Sequence, residues 1–315
     1  MQKIVALCMN PALDITTTTE QVRPTDKLRC TAARYDPGGG GINVAHVAQV
    51  LGAESTAVFP AGGPAGELVA SLLVAEGLAA QRIPIGGSTR ESFTVNENGT
   101  ARQYRFVLPG PQVTVGEQAE CLLALRRAAA DAGIVVASGS LPPGVPEDFY
   151  QQVSTMCEEL GVLFLLDTSG AGLAQVKSGV FLLKPSIREL REYVGRPLDG
   201  EDEQLDAARG LVDQGIARHV LVSLGAQGAL LVGEEGAQRF AAVSVPPGSG
   251  VGAGDAMLAG VAVGISRGRP LAEAVRLGIA AGAAMLLTPG TAPCTREDTE
   301  RLFGQTDDPV HLKDR

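Results

Sequence analysis

Residues 250–257 read GVGAGDAM, a run of small residues that leads into an apolar, small-residue helical stretch. Small residues let the main chain come close to a ligand. The first N–H groups of a helix have no partner inside it, and its positive dipole end suits an oxyanion or a phosphate. Asp255 stands at the start of that helix. Two roles are open to it there: a helix N-cap, or a carboxylate that takes a proton from an attacking hydroxyl beside a phosphate-sized nest. A second glycine cluster, Gly38–Gly41, runs into Asn43. Val44, Val47, Ala48 and Leu51 continue it at helical spacing, so there too a glycine turn opens a helix.

Between the two clusters, short β-branched runs alternate with helical periods. IVALCMN (4–10) is a first strand, STAVFPAGG a second, and GELVASLLVAEG a helix. From residue 117 the rhythm is regular: helix 117–132, strand IVVASGS, helix 147–160, strands VLFLLDTS and VFLLKPS, helix 203–214 and strand HVLVSL. AQGALLVGEEGAQRFAAV adds a hairpin-like pair before the last glycine turn and two small-residue helices. Apolar strands separated by helices imply a parallel sheet covered on both faces. Two stretches do not fit it. Residues 16–37 are rich in Thr and Arg, and ESFTVNENGTARQYRFV alternates around Asn98-Gly99, a strong hairpin signal. They read as a smaller, one-sided β layer, a lid over the parallel sheet. DDPVHLKDR at the C-terminus reads as a solvated tail.

Composition closes off several function classes. The 315 residues carry a formal net charge of −9, with no run of Lys or Arg, so a nucleic-acid partner is not expected. With 45% hydrophobic residues, and 40 glycines lacking a three-residue period, the chain is neither disordered nor collagen-like. The five cysteines are scattered, with no zinc spacing, which implies reduced thiols in a cytoplasmic protein. No apolar run is long enough for a membrane span or a signal sequence. The three histidines, His46, His219 and His311, read as plain surface residues with no catalytic role, and no lysine follows a glycine, so there is no Walker A loop. GISRG (264–268) matches a hydrolase elbow in letters only, since it sits in a helical stretch. GSGVGA (248–253) resembles a dinucleotide fingerprint but comes late in the chain.

The combination of GAGD (252–255) with PGGGGINVA (37–45), NPALD (10–14), KLR (27–29), FPAGG (59–63), TR (89–90), QYRFVLPG (103–110), SGSLPPG (138–144), LLKPS (182–186) and SLGAQGAL (223–230) resembles the PfkB/ribokinase family of carbohydrate kinases along nearly the whole chain. The resemblance implies a ribokinase-like three-layer α/β/α core with a mainly parallel sheet and a small β-sheet lid. Residues 1–315 would form one kinase domain, with lid segments at 12–36 and 88–107 inserted in the core. It implies transfer of the γ-phosphoryl group of ATP, with Mg²⁺, to a sugar phosphate. Glycine throughout 38–41 favours the branch that acts on the C1 hydroxyl of fructose 6-phosphate, because relatives specific for other ketose phosphates place a lysine in that cluster. Kinases for tagatose 6-phosphate or fructose 1-phosphate, and a non-catalytic sugar-phosphate sensor, are the alternatives.

By the same resemblance, Asp255 is the catalytic base, and Gly252, Ala253 and Gly254 form the anion hole. Asp14, Gly39, Gly40, Asn43 and Ser138 contact the sugar, and Arg90 and Arg105 clamp its phosphate, for which a guanidinium fork is suited. Lys27, Lys184, Ser186, Glu189 and the segment Ser223, Leu224, Gly225, Ala226, Gln227 and Gly228 bind the nucleotide, with Glu189 acting indirectly on Mg²⁺. Ser249 and Val251 are candidate contacts for K⁺. Lids of this kind often pair, which implies a homodimer. This chain departs from the family pattern in having Ser186 in place of Asn, Ser249-Gly250 in place of Ser/Thr-Thr, and Thr288 and Ala292 in place of Asn and Arg.

Overall fold

A computed structural model describes residues 1–100, 102–246, 248–288 and 292–312. In chain order the elements are β1 (Ile4–Leu7), β2 (Ala12–Thr19), β3 (Arg34–Gly38), α1 (Gly40–Val50), β4 (Ser55–Ala61), α2 (Gly63–Ala75), β5 (Ala79–Pro84), β6 (Arg90–Glu97) and β7 (Arg102–Val107). There follow α3 (Val115–Ala129), β8 (Ile134–Ser138), α4 (Phe149–Leu160), β9 (Leu163–Asp167), α5 (Ala171–Ala174), β10 (Val180–Leu183), α6 (Ile187–Val194) and α7 (Glu201–Asp213). The chain ends with β11 (Ala217–Ser223), β12 (Ala229–Gly233), β13 (Gly236–Phe240), α8 (Ala253–Ser266), α9 (Leu271–Met285), α10 (Arg296–Phe303) and β14 (Val310–Leu312).

Ten strands form one sheet in the order β14-β13-β12-β11-β10-β9-β8-β1-β4-β5. From β5 to β11 every neighbouring pair is parallel, and β12, β13 and β14 add an antiparallel margin. The central strands β1 and β8 are apolar and buried throughout because both faces are covered. Ile4, Ala6, Val136 and Leu165 pack under α1, α8 and α9, whereas Val5, Leu7, Val135 and Phe164 pack under α3 and α4. The expected three-layer architecture is therefore present. Helices α8 and α9 lie unusually close: a Cβ added to Gly260 would stand 2.8 Å from the Cα of Gly278. That contact explains why this helical pair is written in glycine and alanine.

The second sheet, β3-β2-β6-β7, has four strands. The hairpin around Asn98-Gly99 forms as expected, with Ser92 opposite Val107 and Thr94 opposite Arg105. The pairing of β2 with β6 is parallel, Asp14 beside Ser92, so this sheet is assembled from two distant segments and is not a simple meander. Residues 20–33, expected as strand, instead connect β2 to β3.

Three further expectations need correcting. The C-terminal tail is not free: Val310–Leu312 pairs with β13 as an edge strand, although residues 313–315 lie outside the described set. Helix α6, unmarked in the periodicity, is started by a capping box in which Ser186 and Glu189 bond each other's backbone. His46 and His219 are half-buried and not plain surface residues: the first lies 3.6 Å from Glu76, and the second stacks edge-on against Phe181. Among the described residues, no helix is long and apolar enough to cross a membrane, and all five cysteines are free thiols.

Candidate active site

The residues singled out in the sequence meet at the carboxyl ends of the parallel strands, where open α/β sheets place their ligands. Ser138 ends β8, Asp167 ends β9, Lys184 follows β10 and Ser223 ends β11. The lid sheet stands over this edge. Between the two lies a cavity of about 170 Å³ lined by Asp14, Gly39, Gly40, Asn43, Arg90 and Arg105, together with Gly252 and Asp255.

Asp255 does not cap its helix. The N-cap of α8 is Gly252, in left-handed conformation at φ 77°, and no side chain caps the turn. The Asp255 carboxylate turns toward the sheet, where Ser138 Oγ donates to Oδ1 at 2.8 Å and Asn43 Nδ2 donates to Oδ2 at 2.9 Å. Both oxygens are thereby held, one from β8 and one from α1. Ser138 and Asn43, expected as sugar contacts, orient this carboxylate. At the helix start the Ala253 N–H reaches Gly250 O at 3.3 Å, so the glycine turn closes on itself, with Val251 and Gly252 lining the cleft.

The four glycines at 38–41 have no room for a side chain. An added Cβ would lie 2.3 Å from the Asp14 carboxylate at Gly38 and 2.5 Å from Cys8 Sγ at Gly39. At Gly40 it would lie 2.3 Å from Ser138 Oγ, and at Gly41 2.2 Å from Leu7 O. Main chain thus fills the space between the end of β1, Asp14 and the Ser138–Asp255 pair. Burial pushes the Cys8 thiol beneath it up to about 11, so it is inert at neutral pH.

Burial likewise pushes Asp14 up to about 6, against the pull of Arg90 and Arg105. Arg90 is anchored: its guanidinium donates to Asn10 O at 3.0 Å and to Leu108 O at 3.2 Å. Arg105 lies opposite Thr94 on the exposed strand β7 and has no hydrogen-bond or ion-pair partner among the described residues. The two cations therefore face one carboxylate from different strands.

The expected nucleotide residues gather on the adjoining strand ends. Lys184 is buried and pairs with Asp167 at 2.8 Å. Burial alone would lower the lysine, but Asp167, with help from Glu189 and Asp255, reverses that and holds it above its usual value. Asp167 is pushed up to about 6 by burial, with Lys184 opposing the shift. Glu189 Oε2 accepts from both the backbone N–H and the hydroxyl of Ser186, each at 2.8 Å. Ser186 bridges Ser223, which brings the segment 223–228 alongside. In that segment Gly225–Gln227 form a 3₁₀ turn, and Gly228 (φ 90°) lies against the Phe240 carbonyl. A Cβ on Gly254 would stand 3.4 Å from Lys184 Nζ, so the start of α8 touches both groups of residues.

Not every expected residue joins them. Lys27 is exposed in the β2–β3 connection and does not line the cavity. That connection runs beyond the end of the paired strands, away from the cavity-lining positions of β2 and β6. Ser249 meets the lid, with its hydroxyl 3.4 Å from Gln103 Nε2, and Val251 lines the cavity. Residues 289–291, between the departures Thr288 and Ala292, lie outside the described residues. Asp167 was not among the expected residues, although an acidic residue ending an apolar parallel strand (LFLLD) is a usable signal. Ser92 and Thr94 were not expected either, because only the lid register brings them to the cavity.

Comparison with known proteins agrees with this geometry. The chain is 59% identical over 310 residues to the ATP-dependent 6-phosphofructokinase isozyme 2 of Mycobacterium tuberculosis, covering 98% of this chain and 91% of the relative. A crystal structure of Escherichia coli phosphofructokinase-2 in complex with potassium superposes with a TM-score of 0.91 at 38% identity, covering 97% of this chain and 99% of the other. The same enzyme in complex with fructose-6-phosphate superposes with a TM-score of 0.89 at 36% identity and the same coverage. The profile of the pfkB family carbohydrate kinases matches residues 4–298. Fold, strand-end cleft and glycine-lined helix start thus have a common source: the chain belongs to the pfkB family of carbohydrate kinases.

Proposed function

We propose that this chain is an ATP-dependent sugar-phosphate kinase that transfers the γ-phosphoryl group to the C1 hydroxyl of fructose 6-phosphate, forming fructose 1,6-bisphosphate. The observation that carries it is the Asp255 carboxylate, held by Ser138 and Asn43 at the glycine-lined start of α8 and opening into the same cavity as Arg90 and Arg105. A general base, an anion hole and a clamp for a second phosphate are the parts such a reaction needs. The relatives named above, one of them seen with fructose-6-phosphate, support the same substrate.

Asp255 accepts the proton of the attacking hydroxyl, and Ser138 and Asn43 keep it aimed. Main-chain N–H groups at 252–254 face the charge that develops on the transferred group. Asp14 and the glycines 39 and 40 hold the sugar, and Arg90 and Arg105 hold its phosphate. Lys184 and the turn at 223–228 receive the nucleotide. Asp167 and Glu189 fit Mg²⁺, whose preference for one or two carboxylates plus phosphates and waters matches two acidic groups flanking a phosphate-binding lysine. Bound there, Mg²⁺ would neutralise charge on the phosphates. K⁺ at the loop bearing Ser249 and Val251 extends the proposal, as does a cytoplasmic location. Lid side chains Tyr35, Phe106 and Val107, 47%, 54% and 60% exposed, favour a homodimer formed through the lid.

The test is ADP release with a panel of phosphorylated ketoses, for wild type and Asp255→Asn. Turnover of fructose 6-phosphate is expected, and the substitution should lower kcat about 10²–10⁴-fold. Nearly full turnover in Asp255→Asn would remove the base. Preference for tagatose 6-phosphate or fructose 1-phosphate would reassign the substrate, and tight binding without turnover would make the protein a sensor.

A further inference from the structure

Asp14 has a second carboxylate directly across from it. The β2–β3 register sets Asp14 opposite Asp36, Thr16 opposite Arg34 and Ala12 opposite Gly38. Side chains alternate along a strand, so Asp14, Asp36 and Arg34 share one face of the lid sheet. Directly opposed Cβ atoms on paired strands stand about 5 Å apart, and like charges there repel. The two acids diverge. Asp14 leans over Gly38, where an added Cβ would stand 2.3 Å from its Oδ2, and lines the cavity. Asp36 is buried, at 7% exposure, and lies outside the cavity lining. Arg34 Nε donates to its Oδ1 at 2.8 Å, and Arg34 Nη2 lies equally close at 2.8 Å.

The place of this cation matters for the sugar site. Arg34 stands diagonally from Asp14, a spacing of about 7–8 Å that a long side chain spans. Its side chain is 46% exposed and has room to turn. Asp14 already faces Arg90 on β6, Arg105 on β7 and Asp255 on α8. A third guanidinium bonded to it would occupy the oxygens that sugar hydroxyls need. Asp36 in turn faces His46 on α1 and Glu76 on α2, which lie 3.6 Å from each other. Burial holds His46 below its ordinary value, so it offers Asp36 no permanent charge, whereas Arg34 does.

We propose that Asp36 is a positioning residue for the sugar site: it holds Arg34 away from Asp14, and its own charge keeps Asp14 turned into the cavity. This rests on the ketose-phosphate reading above, in which Asp14 binds sugar hydroxyls. It gives the buried acid of β3 a part in the reaction, exerted through Asp14.

The experiment measures KM and the pH profile of kcat/KM for fructose 6-phosphate in wild type, Asp36→Asn, His46→Gln and the double variant Asp36→Asn/Arg34→Gln. Asp36→Asn releases Arg34 to Asp14 and should raise KM about tenfold, the weight of a hydrogen bond to a charged group, with kcat little changed. The acid limb belonging to Asp14, which burial raises to about 6, should move about one pH unit lower, because Asp14 loses a facing negative charge and gains a cation. Adding Arg34→Gln removes the competitor and should restore KM, a rescue that a merely structural defect would not show. His46→Gln should leave the limb in place. Thermal melting establishes that each variant is folded, and Asp36→Ser replaces Asp36→Asn should the latter not fold.

The proposal is overturned if folded Asp36→Asn keeps the wild-type KM and limb, if the double variant binds as weakly as Asp36→Asn, or if His46→Gln moves the limb as far. A double-mutant cycle by urea denaturation at pH 8 reads the coupling without substrate. There the effect of Asp14→Asn on the folding equilibrium should be about tenfold more favourable in wild type than in Asp36→Asn. Simple additivity in that cycle also overturns the proposal. Failure of the wild-type protein to turn over any phosphorylated ketose would instead sink the functional reading, and the cycle would still decide whether Asp36 governs Asp14.

Discussion

On the core side of the cleft the charged and polar groups are already bonded to one another: Lys184 to Asp167, Ser186 to Glu189, and Ser138 and Asn43 to Asp255. On the lid side Arg105, Ser92 and Thr94 face the same cleft with no partner among the described residues, and Arg90 is held only by main-chain carbonyls. The core half is arranged in advance for charge that develops during phosphoryl transfer, where preorganised dipoles act without reorganisation. The lid half is left for the substrate to complete. On the function proposed above, the sugar phosphate would complete the lid half, and closure over the cleft would exclude water and protect ATP from wasteful hydrolysis.

The comparison can be broken most directly at Lys184. Lys184→Met leaves Asp167 as a buried carboxylate without its cation, which should cost about 3–5 kcal/mol of stability as well as nucleotide binding. Urea denaturation measures this, and a loss below about 1 kcal/mol would mean that the core half is not a preformed unit. A smaller and more selective effect is expected on the lid. Arg105→Ala should raise KM for the sugar phosphate by about tenfold or more with the melting temperature unchanged, because Arg105 holds no other protein group. Arg90→Ala should raise KM and lower the melting temperature too, since it also releases Asn10 O and Leu108 O. Equal thermal effects for the two variants would erase the distinction between an anchored and a waiting arginine.

The smallest effect concerns pH. Asp14 has an ordinary value of 3.8 and is pushed up to about 6 in the folded protein by burial. Between those values the folded state binds the proton more than the unfolded state does, so this group makes stability fall as pH rises from about 4 to 6, with no further change above. Asp167 shifts in the same direction over the same window. Asp14→Asn should flatten part of the stability profile between pH 4 and 6 and remove the matching inflection in kcat/KM. Profiles that superpose on wild type would mean that Asp14 stays ionised throughout and that the cations outweigh its burial.

Much of the core was legible because its strands are buried on both faces. IVAL, IVVAS and VFLL leave little choice but a covered parallel sheet, and glycine runs mark where main chain must approach something. The lid was legible as a polar β layer, but its parallel β2–β6 pairing was not, since it joins segments more than seventy residues apart. Helix α6 was missed for another reason. It begins with a side-chain cap, Ser186 with Glu189, and not with a long apolar period. The tail was misread because three residues of edge strand carry almost no pattern of their own.

The sequence by itself determined which residue types are present: an acid after a glycine turn, four adjacent glycines, two arginines in polar strands and a lysine after an apolar one. It also determined the layered fold, through hydrophobic runs whose burial leaves a single arrangement. Only the tertiary structure decided that Asp255 turns away from its helix cap toward Ser138 and Asn43, that Asp167 joins Lys184, and that Ser92 and Thr94 stand between the arginines. Those relations depend on strand register and on contacts between residues far apart in the chain, such as the 212 positions separating Asn43 from Asp255. Local patterning sets which face of an element is buried, but packing sets which side chains share a site.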